Sequence, residues 1–182
     1  MFSYKDLPEL LEIAQAKNEP SFILILDGIE DPHNFGAILR VAEGAGVHGV
    51  IIRKARQVPV TQTVINVSTG AAEHVPVALV PNIAEAIRRL QDDNIAVFGV
   101  EIDGQRYYNE VDFKAPVALV IGSEGKGLSH LVKQRCNETI RIPMRGKMNS
   151  LNASVATGIV LYEVLRQRGG EKNGGKSYEM RH

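Results

Sequence analysis

Four short apolar runs, each stopped abruptly by glycine, an acid or arginine, constrain this chain more than any other feature. They are FILILDG at 22–28, GVIIR at 49–53, IAVFGVEI at 95–102 and PVALVIG at 116–122. Runs this short with no polar alternation read as strands covered on both faces, the signature of a parallel sheet. Between the first two lies NFGAILRVAEGAG, with Phe35, Ile38, Leu39 and Ala42 at helical spacing and with Gly44 and Gly46 suited to the exit turn. A strand, a helix and a second strand in that order imply parallel neighbours, because parallel pairing needs a crossover of this length.

The pattern repeats along the chain. Residues 6–17 read as a short amphipathic helix with Leu7, Leu10, Leu11 and Ala14 on one side, and 60–66 as another helix. VPVALV at 75–80 reads as extended, NIAEAIRRL as a helix with Ile83, Ala86, Ile87 and Leu90 inward, and TIRI at 139–142 as a short strand. NASVATGIVLYEVLRQR closes the series as a helix whose broad apolar face carries Val155, Ile159, Val160, Tyr162 and Val164. The glycine-rich polar end, 169–182, is expected to be mobile. The fold class is therefore α/β, a mostly parallel sheet with helices on both faces, and 182 residues without an internal linker suit one domain.

Composition excludes several classes. Cys136 is the single cysteine, so neither an intrachain disulfide nor a thiolate metal cluster can form, and a cytoplasmic setting is expected. No apolar run approaches the roughly 20 residues that cross a bilayer, and the first residues carry acids where a secretory leader carries basic groups. No metal is expected, since His33, His48, His74 and His130 lack a compact ligand spacing. With 21 basic and 21 acidic residues, global charge makes no case for nucleic acid. Two local clusters could contact RNA, Arg53 with Lys54 and Arg56, and Arg145 with Lys147 beside Arg141; a solvated charged surface is the competing reading of each.

Three segments carry more than packing requires. In LDGIEDPHNFGAILR, 26–40, a buried strand emerges into a polar cluster at its C-terminal end, where open sheets place ligands. Asn34 can serve there as a helix cap, and Arg40, six residues on, does not stand directly above it. In ALVIGSEGKGLS, 118–129, Gly122, Gly125 and Gly127 make a loop able to wrap a ligand, and Glu124 within it suits a neutral or cationic one. The spacing matches neither common phosphate-binding glycine motif. In IPMRGKMNSLNASVA, 142–156, the cluster Asn149, Ser150, Asn152 and Ser154 precedes the last helix; capping explains one of the four. Met144 and Met148 either fill core or line an adenine pocket.

Together and in this order, DPHNFGAILR, IGSEGKG and IPMRGKMNSLNASVA resemble the SpoU/TrmH family of knotted RNA 2'-O-methyltransferases over residues 21–168, closest to the bacterial 23S ribosomal RNA guanosine-2'-O-methyltransferases. The resemblance implies a C-terminal deep trefoil knot and a bent S-adenosyl-L-methionine held near Gly99, by Val120, Ile121 and Gly122, and by Ile142, Pro143, Met144 and Leu151, with Thr69 and Gly70 in a cofactor-side loop. It carries over Asn34, Arg40, Glu124, Ser150 and Asn152 as catalytic positions and implies a homodimer acting on structured RNA, with ribosomal RNA first and transfer RNA second. Residues 1–20 would then be a helical extension, 21–168 the catalytic domain and 169–182 a tail. Relatives with these motifs often add an N-terminal RNA-binding domain. Here about twenty residues precede the first strand, so RNA recognition rests on this domain or the chain is part of a longer protein.

The family assigns hydroxyl activation to Arg40. A guanidinium stays protonated in proteins, so stabilisation of a developing alkoxide, with RNA phosphate or water taking the proton, suits it better than literal base action. Glu124 then orients Arg40 or contacts cofactor or RNA, while Asn34, Ser150 and Asn152 hold the ribose and nearby backbone. A module that binds RNA without transfer, and a base methyltransferase of the wider superfamily, are the competing functions.

Overall fold

The computed structural model describes residues 2–170. In chain order it runs α1 (Leu7–Ala16), β1 (Phe22–Asp27), α2 (Pro32–Ala45), β2 (Gly49–Arg53), α3 (Gln62–Val67), β3 (Val77–Val80), α4 (Ile83–Asp92), β4 (Ala96–Val100), β5 (Arg106–Tyr107), β6 (Val117–Gly122), α5 (His130–Arg135), β7 (Glu138–Arg141) and α6 (Ala153–Gln167). The sheet has the order β3-β2-β1-β6-β4-β7-β5, and every pairing between these strands is parallel. All C-terminal strand ends therefore share one edge. Among the described residues no helix is long and apolar enough to cross a membrane.

Every residue of β1 is buried, and period-2 alternation divides it between two cores. Leu24 and Leu26 face α2, α3 and α6 through Phe35, Ile38, Leu39, Val64, Val160 and Leu161. Ile23 and Ile25 face α1, α4 and α5 through Leu10, Ile83, Ile87, Leu90 and Val132. At about 1.5–3 kcal/mol for each fully buried aliphatic side chain, this two-sided cover is what holds the central strands.

The structure departs from the sequence reading in five places. Asp31 caps α2, accepting from the His33 N–H at 2.8 Å, because Pro32 fits the first helical position; Asn34 is thereby freed of capping. Gly46 closes α2 with φ 81°, as expected, but Gly44 lies inside the helix, where a Cβ would come 2.7 Å from the Tyr162 hydroxyl. β4 ends at Val100, leaving Glu101 outside the strand. The two-residue β5 and six-residue α5 are too short for periodicity to reveal. On α6 the buried face carries Thr157, Val160, Leu161 and Val164, whereas Val155 is 51% and Tyr162 48% exposed. The tail expectation lies outside the described residues from 171 onward.

Candidate active site

The ends of β4, β6 and β7 and the first turn of α6 enclose a cleft of about 230 Å³. Its floor is the glycine segment after β6. Gly127 N–H donates to the Ser123 carbonyl at 2.9 Å, closing a tight turn in which Gly125 and Gly127 take φ of 79° and 65°. A Cβ on Gly122 would lie 2.3 Å from the Gly127 carbonyl carbon, so the turn folds directly over the strand end. Ile121, Ile142, Met144 and Leu151 give the cleft apolar walls. Met144 and Met148, 37% and 74% exposed, are not core.

Beside this cleft three distant residues form a closed triangle. Glu124 Oε1 accepts from Asn34 Nδ2 at 3.2 Å and from Asn152 Nδ2 at 2.8 Å, and Asn152 Nδ2 also donates to Asn34 Oδ1 at 3.0 Å. The Ala153 N–H adds a third bond to Glu124 Oε1, at 3.2 Å. Asn152 Oδ1 meanwhile caps α6, accepting from the Ser154 and Val155 N–H groups. One amide thus caps the helix with its oxygen and joins Asn34 and Glu124 with its nitrogen, so capping leaves its donor side to the triangle.

Of the other residues singled out in the sequence, Ile121, Gly122, Glu124, Ile142, Met144, Ser150 and Leu151 line the cleft. Val120 is fully buried within β6, and Pro143 is exposed between two lining residues. Gly99 lies beneath the glycine segment; a Cβ there would come 2.5 Å from Leu128 Cδ1. Thr69 and Gly70 form a left-handed turn after α3, with φ of 51° and 94°, and neither borders the cleft. Arg40 is exposed on α2, outside the cleft lining, and has no hydrogen bond or ion pair among the described residues.

Arg53 turns inward, its Nη2 3.6 Å from Oδ1 of the buried Asp27, whose other oxygen accepts from the Ser129 N–H at 2.8 Å. Lys54, Arg56, Arg145 and Lys147 are exposed.

Sequence reasoning missed Glu101, which lines the cleft. The apolar run through Ile102 hid it, and its one signal was an acid at the end of a buried strand. Glu101 and Glu124 set two carboxylates against Lys126, the one cation among the described residues that line the cleft. That balance suits a cationic ligand. Burial, with Asp27 and Glu101 nearby, pushes the Cys136 thiol up to about 12, so it stays protonated and is no thiolate nucleophile. Among the described residues no group of three or more His, Cys, Asp or Glu could hold a metal ion.

Comparison with known proteins adds four likenesses. The sequence profile of the SpoU rRNA Methylase family matches residues 21–162. YacO of Bacillus subtilis, assigned by name to the TrmH family of tRNA/rRNA methyltransferases, is 48% identical over 167 residues, covering 92% of this chain and 67% of that protein. The SpoU methyltransferase AviRb of Streptomyces viridochromogenes, solved with the cofactor AdoMet, superposes with a TM-score of 0.77 at 32% identity, over 84% of this chain and 60% of that one. The A. aeolicus TrmH/SpoU tRNA modifying enzyme superposes with a TM-score of 0.74 at 28% identity, over 88% of this chain and 83% of that one. The chain thus spans about 60% of the length of AviRb.

Proposed function

Since the chain belongs to the SpoU rRNA methylase family, we propose that it transfers a methyl group from S-adenosyl-L-methionine to a ribose 2'-hydroxyl of structured RNA, with a guanosine of 23S ribosomal RNA as first candidate and transfer RNA as second. The observation that carries this reading is the Asn34–Glu124–Asn152 triangle, in which one residue from each of the three motif segments meets beside the cleft. The ribosomal preference rests on the joint resemblance of those segments to the 23S enzymes.

The cleft's chemistry fits the donor. Ile121, Ile142, Met144 and Leu151 offer apolar surface for adenine, glycine backbone leaves room for close approach, and Glu101 and Glu124 favour positive charge. S-adenosyl-L-methionine supplies the electrophilic methyl. The chain aligns the sugar oxygen and stabilises its developing charge, both large contributions to such reactions. Ser150 at the cleft, with Asn34 and Asn152, holds the ribose and its phosphate, and Glu124 fixes both amides. Arg40 stabilises the alkoxide while phosphate or water removes the proton.

Arg40 has no partner among the described residues, which supports a homodimer with Arg40 acting at the partner's cleft. Arg40 lies one helical turn from Gly44, and Gly44 approaches Tyr162 of α6. Half-exposed Tyr162 and Val155, seven residues apart on α6, offer this face apolar contact. Exposed Lys54, Arg56, Arg145 and Lys147 would contact RNA phosphate, and Thr69 and Gly70 belong to the cofactor side only in such an assembly. The reading includes a C-terminal trefoil knot, supported by the insertion of β6 between β1 and β4, with residues 21–168 as the catalytic domain in a cytoplasmic protein.

The test is incubation with labelled S-adenosyl-L-methionine and separate ribosomal and transfer RNA, then nucleoside mapping. Label as 2'-O-methylguanosine from 23S RNA supports the full reading; label in transfer RNA moves the substrate to the second candidate. Label on a base overturns ribose transfer, and donor binding without label favours a binding module.

A further inference from the structure

Glu101 directly follows the last residue of β4, and its Oε1 accepts the Leu128 N–H at 2.7 Å. Both carboxylate oxygens lie 3.0 Å from the position a Gly127 Cβ would occupy, so the group is pressed against the end of the glycine segment. Among the described residues Oε2 has no hydrogen-bond partner, and no cation forms an ion pair with either oxygen. An ionised carboxylate has about four acceptor positions, and this half-buried one fills a single position from protein. The residue itself lines the cleft.

The position within the cleft decides what can fill the other acceptor positions. The methyl must point toward the ribose-holding triangle at Glu124, so the sulfonium belongs at that end. Glu101 meets the glycine segment at Gly127 and Leu128, three and four residues further on. With adenine against Ile142 and Leu151, two other parts of the donor carry N–H or O–H groups for Glu101, the vicinal hydroxyls of the adenosine sugar and the α-ammonium of the methionine tail; the sugar is the part joined directly to the base. An acid beyond the end of a parallel strand is a general solution for gripping a ribose hydroxyl in open α/β sheets.

We propose that Glu101 is the cofactor-sugar anchor, accepting hydrogen bonds from the vicinal ribose hydroxyls of S-adenosyl-L-methionine while Oε1 holds the glycine segment through Leu128. This rests on the donor assignment above and adds to it the residue that selects a ribonucleoside donor.

Calorimetric titration tests this without turnover, using S-adenosylhomocysteine and its 2',3'-dideoxyribose analogue against the wild-type chain, Glu101→Gln and Glu101→Ala. The wild type is expected to bind the dideoxy analogue about tenfold to a hundredfold more weakly, the range for a charge-assisted hydrogen bond. Glu101→Ala is expected to bind the two ligands alike, and Glu101→Gln, which retains an acceptor for the Leu128 N–H, to keep the native melting temperature while losing most of the discrimination. Equal binding of both ligands by the wild type, or discrimination undiminished in Glu101→Ala, overturns the anchor and leaves the donor assignment standing. No binding of S-adenosylhomocysteine to the wild type overturns both.

Discussion

Asn152 donates to Glu124 at 2.8 Å beside the cleft while its own carbonyl oxygen caps the last helix. Separating these two duties distinguishes chemistry from folding. Asn152→Ser retains an oxygen for the cap and loses the amide donor, so its stability should stay within about 0.5 kcal/mol of wild type while methyl transfer falls at least about tenfold. Asn152→Ala loses both and should cost about 1 kcal/mol of stability in addition. Urea unfolding and single-turnover transfer check the pair; equal activity in Asn152→Ser and wild type would remove the amide from the mechanism.

Arg40 is exposed, with no polar partner among the described residues, so Arg40→Lys should leave the melting temperature unchanged. If the planar guanidinium is what meets the sugar oxygen, turnover should drop by about 10²-fold or more, with S-adenosylhomocysteine binding intact. Near-full turnover in this variant would sink the role given to Arg40.

Gly122 cannot accept a side chain without moving the turn above it, because the clashing atom is Gly127 backbone at 2.3 Å. Gly122→Ala should cost about 1–3 kcal/mol and weaken S-adenosylhomocysteine binding measurably by calorimetry. Gly146→Ala is the control, since nothing lies within 4 Å of its Cβ position, and it should match wild type in stability.

Arg168 closes the fold at the opposite edge of the sheet. Its guanidinium donates to the carbonyls of Pro20, Ser21, Phe113 and Ala115, joining the end of α6 to the approaches of β1 and β6. Lysine cannot reach four acceptors in a planar fork. Arg168→Lys should therefore lose about 2 kcal/mol in denaturant unfolding, and an unchanged midpoint would show that the carbonyls find water instead.

His48 should make stability depend on pH. Its Nδ1 accepts the Phe22 N–H at 2.9 Å, which requires that nitrogen to be unprotonated. Burial lowers its pKa below the ordinary value, with Glu19 partly opposing. The folded chain thus binds the His48 proton less readily than the unfolded chain. Its contribution is present above the ordinary histidine pKa of about 6.5 and is lost as pH falls below it, toward the depressed folded value. Unfolding free energy should drop between about pH 7 and 5, and His48→Gln should flatten the dependence; a slope unchanged in that variant would assign it to other groups.

The strands and main helices were legible because burial writes itself into local composition. FILILD alternates between two apolar covers, so nothing polar interrupts it, and Ile83, Ala86, Ile87 and Leu90 recur at the helical period. The three motif segments were likewise visible as polar groups in excess of what turns and caps require. The limits were equally physical. Asp31 displaced Asn34 as cap because two polar residues three positions apart compete for one helix start and only Asp31 precedes the proline. Glu101 was concealed because a strand's end is fixed by pairing with neighbours rather than by its own residues.

The sequence alone determined a parallel α/β core and the residue types brought to its C-terminal edge, since periodicity and chain order are local properties. Which of those residues meet was decided only in the tertiary structure. Asn34 and Asn152 are 118 positions apart and Asn34 and Glu124 are 90 apart. No spacing rule spans such distances. Their convergence depends on strand order, which sets β6 beside β1, and on the packing of α6 against α2, the helix that follows β1. The same order left Arg40 outside the cleft and turned Arg53 toward Asp27, outcomes fixed by how helices pack on a sheet.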